Sequence, residues 1–245
     1  PETHSESAQD RLRQTSSIRD CVLVPDGEDD NATNQSLSQG AVQLLRQLGS
    51  QRLGIGWGHL IGQLVMWLEE NPQFNSSVTD ICPLVARNYQ SNENVRLIAQ
   101  QLGAVPHFIY LPALPESVEE KQLLCSTEIY RKIQTQWAAM DTALVNIGNY
   151  PSSPDFASLV RYGDLLQKER TCGRLLVYYF NDQGKIIESD QDFAIQIPLE
   201  LLKSCRNIIG VCSANTSVQA VRGALRTGIF THLVARSAAV ESALN

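Results

Sequence analysis

The sequence alternates short apolar runs with longer segments in which apolar residues recur every three or four positions. The short runs are typical of buried strands, and the longer spacing is typical of helices. The strand-like runs are residues 21–25, 53–57, 80–86, 106–113 and 142–148. The helical segments between them are 40–48, which Ser36 or Ser38 would cap, 62–70, 92–104 and 118–140. This order predicts an α/β fold, a mostly parallel sheet with helices on both faces.

The pattern changes after Tyr150. Residues 175–189 contain two β-rich runs around the turn-forming segment 181–184, which predicts a β-hairpin. A helix at 157–170 precedes the hairpin, and helix and strand signals then alternate again to the end of the chain. We therefore expect one α/β domain with an inserted hairpin region near residues 150–195.

Residues 52–62 read RLGIGWGHLIG and place Gly54, Gly56 and Gly58 where a strand is followed by a helix. One interpretation is a tight strand-to-helix turn, because glycine adopts positive φ without steric cost. The other is an anion site, because a helix N-terminus offers unpaired N–H groups and a partial positive charge. The stretch is neither a Walker loop nor a dinucleotide-binding fingerprint. The segments PLVA, YLPAL and NIGNY end at the same edge of the predicted sheet, where ligands of such sheets collect, and this favours the anion site.

Composition argues against two classes of partner. The net charge is −6 and the basic residues are scattered, whereas nucleic-acid binding needs a basic face. No window of the sequence has the 18 or so uncharged apolar residues of a membrane span. The polar N-terminus lacks the apolar stretch of a secretory signal, so we expect a cytoplasmic protein that contacts no membrane.

The residues that could carry metal or catalytic chemistry are isolated from one another. The six cysteines are spread singly, with no C-x-x-C pair and no histidine at ligand spacing, so we expect no metal site and no cofactor. An enzyme would need a carboxylate base near the glycine turn, and the candidates Glu116 and Asp141 have no visible partner. We therefore expect no catalytic residues.

Six landmarks in a fixed order resemble a known family. They are V-x-VP, G-x-G-WG before a helix, D-x-x-PL, Y-x-PA, D-x-ALV-x-IG, and a YF-x-D-x-G hairpin, followed by GALRTGIFTHLVARSAAVESAL at the C-terminus. From about residue 12 onwards the chain resembles the effector-binding domain of SorC-family bacterial transcriptional regulators. The resemblance implies a fold similar to the glucosamine-6-phosphate deaminase, ribose-5-phosphate isomerase and CoA-transferase group. It also implies a homodimeric or homotetrameric sensor of a sugar or sugar phosphate that controls operator binding.

Two other functions stay open at this point. One is a sugar-phosphate isomerase, deaminase or CoA-transferase-like enzyme of the same fold group. The other is a sensor domain that no longer binds ligand and serves only oligomerisation. The resemblance divides the chain into a polar N-terminal segment, 1–11, and an effector-binding domain, 12–245. Family members carry an N-terminal helix-turn-helix, and none is visible here, so we expect a portion of a longer regulator that contacts DNA only through such a domain.

The resemblance and the residue chemistry together predict the ligand site. Its expected residues are Gly56, Trp57, Gly58, His59, Leu60, Arg87, Arg174 and Ser217. The chain departs from the family at several of them. Where family members usually have Arg-Thr, it has His59 and Leu60, so backbone N–H groups would carry more of the anion binding. Arg174 replaces an acidic residue of the family, and Ser217 replaces a lysine.

Overall fold

The computed structural model describes residues 7–86 and 91–245, which form one ten-stranded sheet flanked by helices. The strands are β1 Asp20–Val24, β2 Arg52–Ile55, β3 Asp80–Pro83, β4 Val105–Pro106, β5 Thr142–Asn149, β6 Thr171–Leu175, β7 Tyr178–Asn181, β8 Ile186–Ile187, β9 Asn207–Cys212 and β10 His232–Arg236. The helices are α1 Ala8–Thr15, α2 Asp30–Leu48, α3 His59–Glu70, α4 Ser91–Leu102, α5 Val118–Cys125, α6 Glu128–Ala139, α7 Ser158–Tyr162, α8 Leu165–Lys168, α9 Leu199–Ser204, α10 Val218–Arg226 and α11 Ser237–Leu244. No helix of this described part is long and apolar enough to cross a membrane.

Seven strands pair in parallel in the order β1-β10-β9-β5-β2-β3-β4. The chain proceeds from β2 to β3 and β4 on one side, and from β5 to β9 and β10 on the other. The strand order therefore reverses between β2 and β5, so the carboxyl ends of these strands are the switch point of the sheet. Open parallel sheets bind ligands in a crevice at such a switch point.

An antiparallel extension follows the carboxyl end of β5. Residues 147–149 of β5 pair with β6, which pairs with β7, which in turn pairs with β8. The turn between β7 and β8 contains Gly184 at φ 82°, so the hairpin predicted around residues 181–184 is confirmed. Strand β6 lies before the predicted hairpin and does not follow from the sequence pattern. The extension brings the inserted region, residues 150–195, beside the switch point.

Helices cover both faces of the sheet. On one face α2 packs against α3 and α3 against α4, and their apolar side chains meet Leu53, Ile55 and Leu144 of the central strands. The other face packs against α1, α6, α10 and α11, with Trp137 and Leu12 fully buried. The predicted mostly parallel α/β sheet with helices on both faces is thus confirmed.

Several predicted boundaries were wrong for local reasons. Helix α2 begins at Asp30, well before the expected Ser36 or Ser38, because the Asp29 carboxylate accepts a bond from Ala32 N at 2.7 Å. The long helix predicted at 118–140 is two helices, because Thr127 caps α6 after α5 has ended at Cys125.

The strand predicted at 106–113 is only Val105–Pro106. Beyond it, the N–H of Ile109 donates to the Asn92 side chain, and the Asn92 amide donates to Ile109 O. The Asn92 side chain thus forms the hydrogen bonds that a neighbouring strand would otherwise form with Ile109. Helix α1 is absent from the sequence-based prediction; its one buried residue, Leu12, joins the core.

Candidate functional site

The glycine turn lies at the carboxyl end of β2 and begins α3. Gly56 N donates to Leu144 O of β5 at 2.8 Å, which holds the turn against the neighbouring strand. Gly58, the N-cap of α3, has φ 143° and ψ 172°. A Cβ atom there would lie 3.0 Å from Asn146 Nδ2. Glycine at 58 is therefore required both by its backbone conformation and by the close approach of β5.

The N-terminus of α3 has no side-chain cap. By contrast, Asp29 caps α2 and Ser217 caps α10 at the same edge of the sheet. A helix start without a cap leaves N–H donors and a partial positive charge for an external acceptor. Beside this start, between α3 and α4, an open cleft of about 320 Å³ is lined in part by Gly58, His59 and Asn94. It is also lined by Glu93, whose carboxylate pairs with Arg96. The geometry therefore fits a small anion at the first turn of α3.

Arg174 of β6 is buried at the switch point with 9% of its surface exposed. Its Nε donates to Ser152 Oγ at 3.2 Å, and its Nη1 donates to Leu176 O at 3.3 Å. Among the described residues no carboxylate pairs with the guanidinium, and its burial lowers the pKa of Arg174 below the ordinary arginine value. A Cβ on Gly148 of β5 would lie 3.2 Å from Arg174 Cζ, so that glycine lets the guanidinium cross the strand. The side chain thus retains donors and a charge that no acid among the described residues neutralises.

Two aromatic rings flank Arg174. Its Cζ lies 5.1 Å from the centre of the Trp57 ring and 5.2 Å from that of Phe156, within the range of cation–π contacts. The two rings contact each other edge to face, with centroids 4.7 Å apart. Phe156 and Ala157 both have positive φ, 56° and 54°, which costs about 1–3 kcal/mol each for a residue other than glycine. The inserted region therefore accepts backbone strain to place Phe156 against Trp57 and Arg174.

Two further polar atoms near the turn, Trp57 Nε1 and Asn146 Oδ1, are buried and have no hydrogen-bond partner among the described residues. One is a donor and the other an acceptor. Buried polar groups in native proteins almost always have a partner, in the protein, in water or in a ligand. Together with Arg174 and the first turn of α3, these atoms make the switch point a polar site that is not satisfied from within.

A second buried arginine, Arg161 of the inserted region, differs from Arg174 because a carboxylate pairs with its guanidinium. Arg161 is 0% exposed, and its Nε donates to Asp192 Oδ1 at 2.7 Å. Its Nη2 donates to Val177 O, and Tyr162 OH donates to the same aspartate at 3.0 Å. This network holds the inserted region together, and its arginine has the counterion that Arg174 lacks.

The structure brings together four of the eight residues predicted for the site: Gly56, Trp57, Gly58 and Arg174. His59 is exposed on the rim, with Nε2 3.1 Å from Gln63 Nε2. Leu60 is 2% exposed and packs into the core, so only its backbone can face a ligand.

Ser217 lies at the end of the neighbouring strand β9. Its Oγ accepts from Ala220 N, and its N–H donates to Asn149 Oδ1. Arg87 lies outside the described residues. The sequence analysis missed Asn146, Gly148, Ser152 and Phe156, although the segment NIGNY already marked the first two.

Neither residue considered for catalysis is hydrogen-bonded to the glycine turn among the described residues. Asp141 precedes β5 at the opposite edge of the sheet, where its carboxylate accepts from the N–H groups of Gln51 and Arg52. Glu116 is in an exposed loop, and its N–H donates to Glu120. The described residues contain no group of three metal-ligating side chains. Burial raises the pKa of Cys205 to about 11, so this thiol stays protonated and acts as a small apolar residue.

Comparison with known proteins connects this site to a family. The family model described as "Putative sugar-binding domain" matches residues 1–245. A curated relative, the sorbitol operon regulator of Klebsiella pneumoniae, is 23% identical over 243 residues, covering 92% of this chain and 76% of the relative.

Solved structures share the fold. The full-length sorbitol operon regulator SorC from Klebsiella pneumoniae superposes with a TM-score of 0.82 at 20% identity, covering 97% of this chain and 80% of that one. A DeoR-family transcriptional regulator from Listeria monocytogenes gives a TM-score of 0.80 at 18% identity, covering 96% and 98% of the two chains. The SorC-family resemblance seen in the sequence is thereby confirmed, and the chain belongs to the family of sugar-binding domains found in these transcriptional regulators.

Proposed function

We propose that this domain binds an anionic sugar, a sugar phosphate or a related acidic carbohydrate, in the crevice between β2 and β5. The observation that carries the proposal is Arg174, which is buried without a carboxylate partner among the described residues, beside the uncapped start of α3. In the full-length regulator, ligand binding at this site controls operator binding. We place this function in the cytoplasm, in a homodimer or homotetramer.

The energetics of Arg174 support an anionic ligand. Removing a charge from water costs several kcal/mol unless a counterion and hydrogen bonds compensate it. The described part of the protein supplies two hydrogen bonds to the guanidinium and no acid. A phosphate or carboxylate would pair with the remaining donors, and guanidinium matches such groups in a bidentate geometry. The ligand then provides Arg174 with the negative charge that Asp192 provides to Arg161.

The remaining groups suit the rest of a sugar. The N–H groups of His59 and Leu60 at the start of α3 offer a second anchor for negative charge. Trp57 Nε1 donates and Asn146 Oδ1 accepts, which are the two roles a hydroxyl group can satisfy at once. We also propose Arg87 and Ser217 as ligand contacts, on the sequence argument alone.

We propose that the site binds its ligand without turnover. A proton-transfer mechanism needs a base within hydrogen-bond reach of the substrate. The carboxylates considered for that role, Asp141 and Glu116, lie at the opposite edge and in an exposed loop. Incubation with the sugar phosphates that bind, followed by phosphorus and proton NMR, checks this point; a new product at a catalytic rate would establish the enzyme alternative.

Thermal denaturation with a panel of sugar phosphates, sugar acids and their neutral parent sugars tests the binding proposal. A ligand that binds only the native state raises the melting temperature by mass action. We expect an anionic member of the panel to stabilise the wild-type protein and not Arg174→Gln. Arg131→Gln is the charge-matched control, because Arg131 is exposed on α6 and pairs with Glu128. Stabilisation by neutral sugars alone, or equal stabilisation of Arg174→Gln, would refute the proposal.

A further inference from the structure

A second groove runs between α2 and α3, outside the crevice described above. It has a volume of about 660 Å³, which is in the usual range for small-molecule sites. We call it the α2–α3 groove. Its principal lining residues are Gln35, Ser38, Gln39, Gln63, Met66 and Trp67. Most of the lining side chains are polar, and Met66 and Trp67 supply its large apolar surfaces.

Two polar atoms of the groove, Ser38 Oγ and Gln63 Oε1, are buried and find no hydrogen-bond partner in the part of the chain that the structure describes. Ser38 as a whole is 1% exposed, so its hydroxyl has no access to bulk water in this state. Ser36 also lines the groove, but it is exposed and its Oγ donates to Ala32 O of its own helix at 3.2 Å. Buried hydroxyls almost always have a partner, so Ser38 Oγ is left for a partner that the described residues do not supply.

The chemistry of the lining selects a class of ligand. The described residues that line the groove include no lysine or arginine, and their one carboxylate is Glu70. A phosphate or carboxylate ligand would find no counterion there. Amide and hydroxyl side chains offer donors and acceptors together, which match the hydroxyl groups of a neutral polyol or sugar. Trp67 and Met66 supply apolar surface for its carbon face.

We propose that the α2–α3 groove is a second binding site, for a neutral polyhydroxylated molecule. The site is separated from the anion crevice by a hydrogen-bonded wall, in which Gln63 Nε2 lies 3.3 Å from Asn31 Oδ1 and 3.1 Å from His59 Nε2. His59, Gln63 and Met66 border both the groove and the cleft at Gly58. A ligand in the groove therefore contacts the same side chains that border the first turn of α3.

The chain contains two methionines, and their placement provides a direct probe. Met66 is in the groove and 60% exposed, whereas Met140 is 8% exposed on the other face of the sheet. In protein labelled with ¹³C at the methionine methyl groups, Met66 reports on the groove and on the adjoining cleft at Gly58, and Met140 is the internal control. The variants at Ser38, which lines the groove alone, assign the signal to the groove. We expect sorbitol, galactose or trehalose to shift the Met66 signal saturably in the millimolar range or below and to leave Met140 unchanged.

Two alanine variants locate the binding. Ser38→Ala removes the unpartnered hydroxyl and should weaken the polyol's affinity on the order of fivefold without loss of stability. Ser36→Ala is the matched control and should change the affinity less than about twofold, because that hydroxyl already has a partner. Arg174→Gln should bind the polyol as the wild type does, because the groove does not depend on the anion crevice.

Three results would overturn the proposal. The first is no saturable Met66 shift with any of the three probes up to ~50 mM, a limit set by weak millimolar binding. The second is a Met66 shift that follows protein concentration instead, which would make the groove a contact between copies of the chain. The third is an equal loss of polyol affinity in Ser38→Ala and Ser36→Ala, or the disappearance of polyol binding in Arg174→Gln.

Discussion

The guanidinium of Arg174 lies 5.1 Å from the centre of the Trp57 ring, at the point where the glycine turn meets the inserted region. Trp57 belongs to the segment between β2 and α3, and Arg174 to β6, so the contact joins the parallel sheet to the antiparallel extension. Gly148 leaves the space in which this arginine lies across β5. The proposed site thus depends on both parts of the fold.

The two buried arginines should respond differently to substitution. Arg161→Met leaves Asp192 without its counterion and should lower the free energy of unfolding by about 3–5 kcal/mol. Arg174→Met leaves no acid behind among the described residues, but it leaves the buried Leu176 O without its donor. We therefore expect a smaller loss of about 1–2 kcal/mol, because relief of the desolvated charge offsets part of the lost contacts. Urea denaturation without ligand measures both. Equal losses would mean that Arg174 is a structural residue.

Substitution at Gly58 should destabilise the fold even without ligand. Alanine there must adopt φ near 143° and contact Asn146, so we expect a loss of about 1–3 kcal/mol. Adding Asn146→Ala to the Gly58→Ala protein should recover only the part of this loss that comes from the steric contact. Gly62→Ala is the control on the same helix: a Cβ atom at that position would meet no neighbouring group within 4 Å, and alanine should stabilise the helix by about 0.5–1 kcal/mol. A fully stable Gly58→Ala protein would contradict this account of the turn.

Ser217 should act mainly as the cap of α10. Its Oγ accepts from Ala220 N at 3.1 Å, so Ser217→Ala should cost about 1 kcal/mol, whereas Ser217→Asp should retain the cap. Thermal denaturation compares the three proteins. Stability that is unchanged in Ser217→Ala, together with a loss of sugar-phosphate affinity, would show that Ser217 serves the ligand instead of the helix.

Stability should fall in mildly acidic solution because of His232. Burial, and then the charge of Arg19, lower the pKa of this histidine below its ordinary value of 6.5. The unfolded chain therefore takes up a proton at a higher pH than the folded chain does. The contribution of neutral His232 to the free energy of unfolding is therefore fully present above pH 6.5. It is lost as the pH falls from 6.5 to the lowered pKa of the folded state. Urea denaturation from mildly alkaline to mildly acidic solution should show a shallower decrease in His232→Gln; equal slopes would exclude His232 as the cause.

The parallel sheet and the glycine turn were predictable because they depend on local sequence. Apolar runs of strand length identify β2 and β5, and glycines at 56 and 58 identify the turn. The partners of Arg174 were not predictable in this way. Leu176 is only two residues away in the sequence, but Ser152 reaches Arg174 only through the path of the inserted region. The lack of an acid among the described neighbours of Arg174 is a property of the folded environment. Likewise, the Asn92 side chain that ends β4 pairs with Ile109 across 17 residues, which no periodicity reveals.

Titration calorimetry of the wild-type protein and Arg174→Gln, each with the best-stabilising sugar phosphate and its neutral parent sugar, tests the central claim most directly. We expect the wild type to bind the phosphate at least ~30-fold more tightly than the parent sugar, because a charge-assisted bidentate pair contributes about 2 kcal/mol or more. Arg174→Gln should lose most of that preference while remaining folded. A preference for the phosphate that is undiminished in Arg174→Gln would contradict the account.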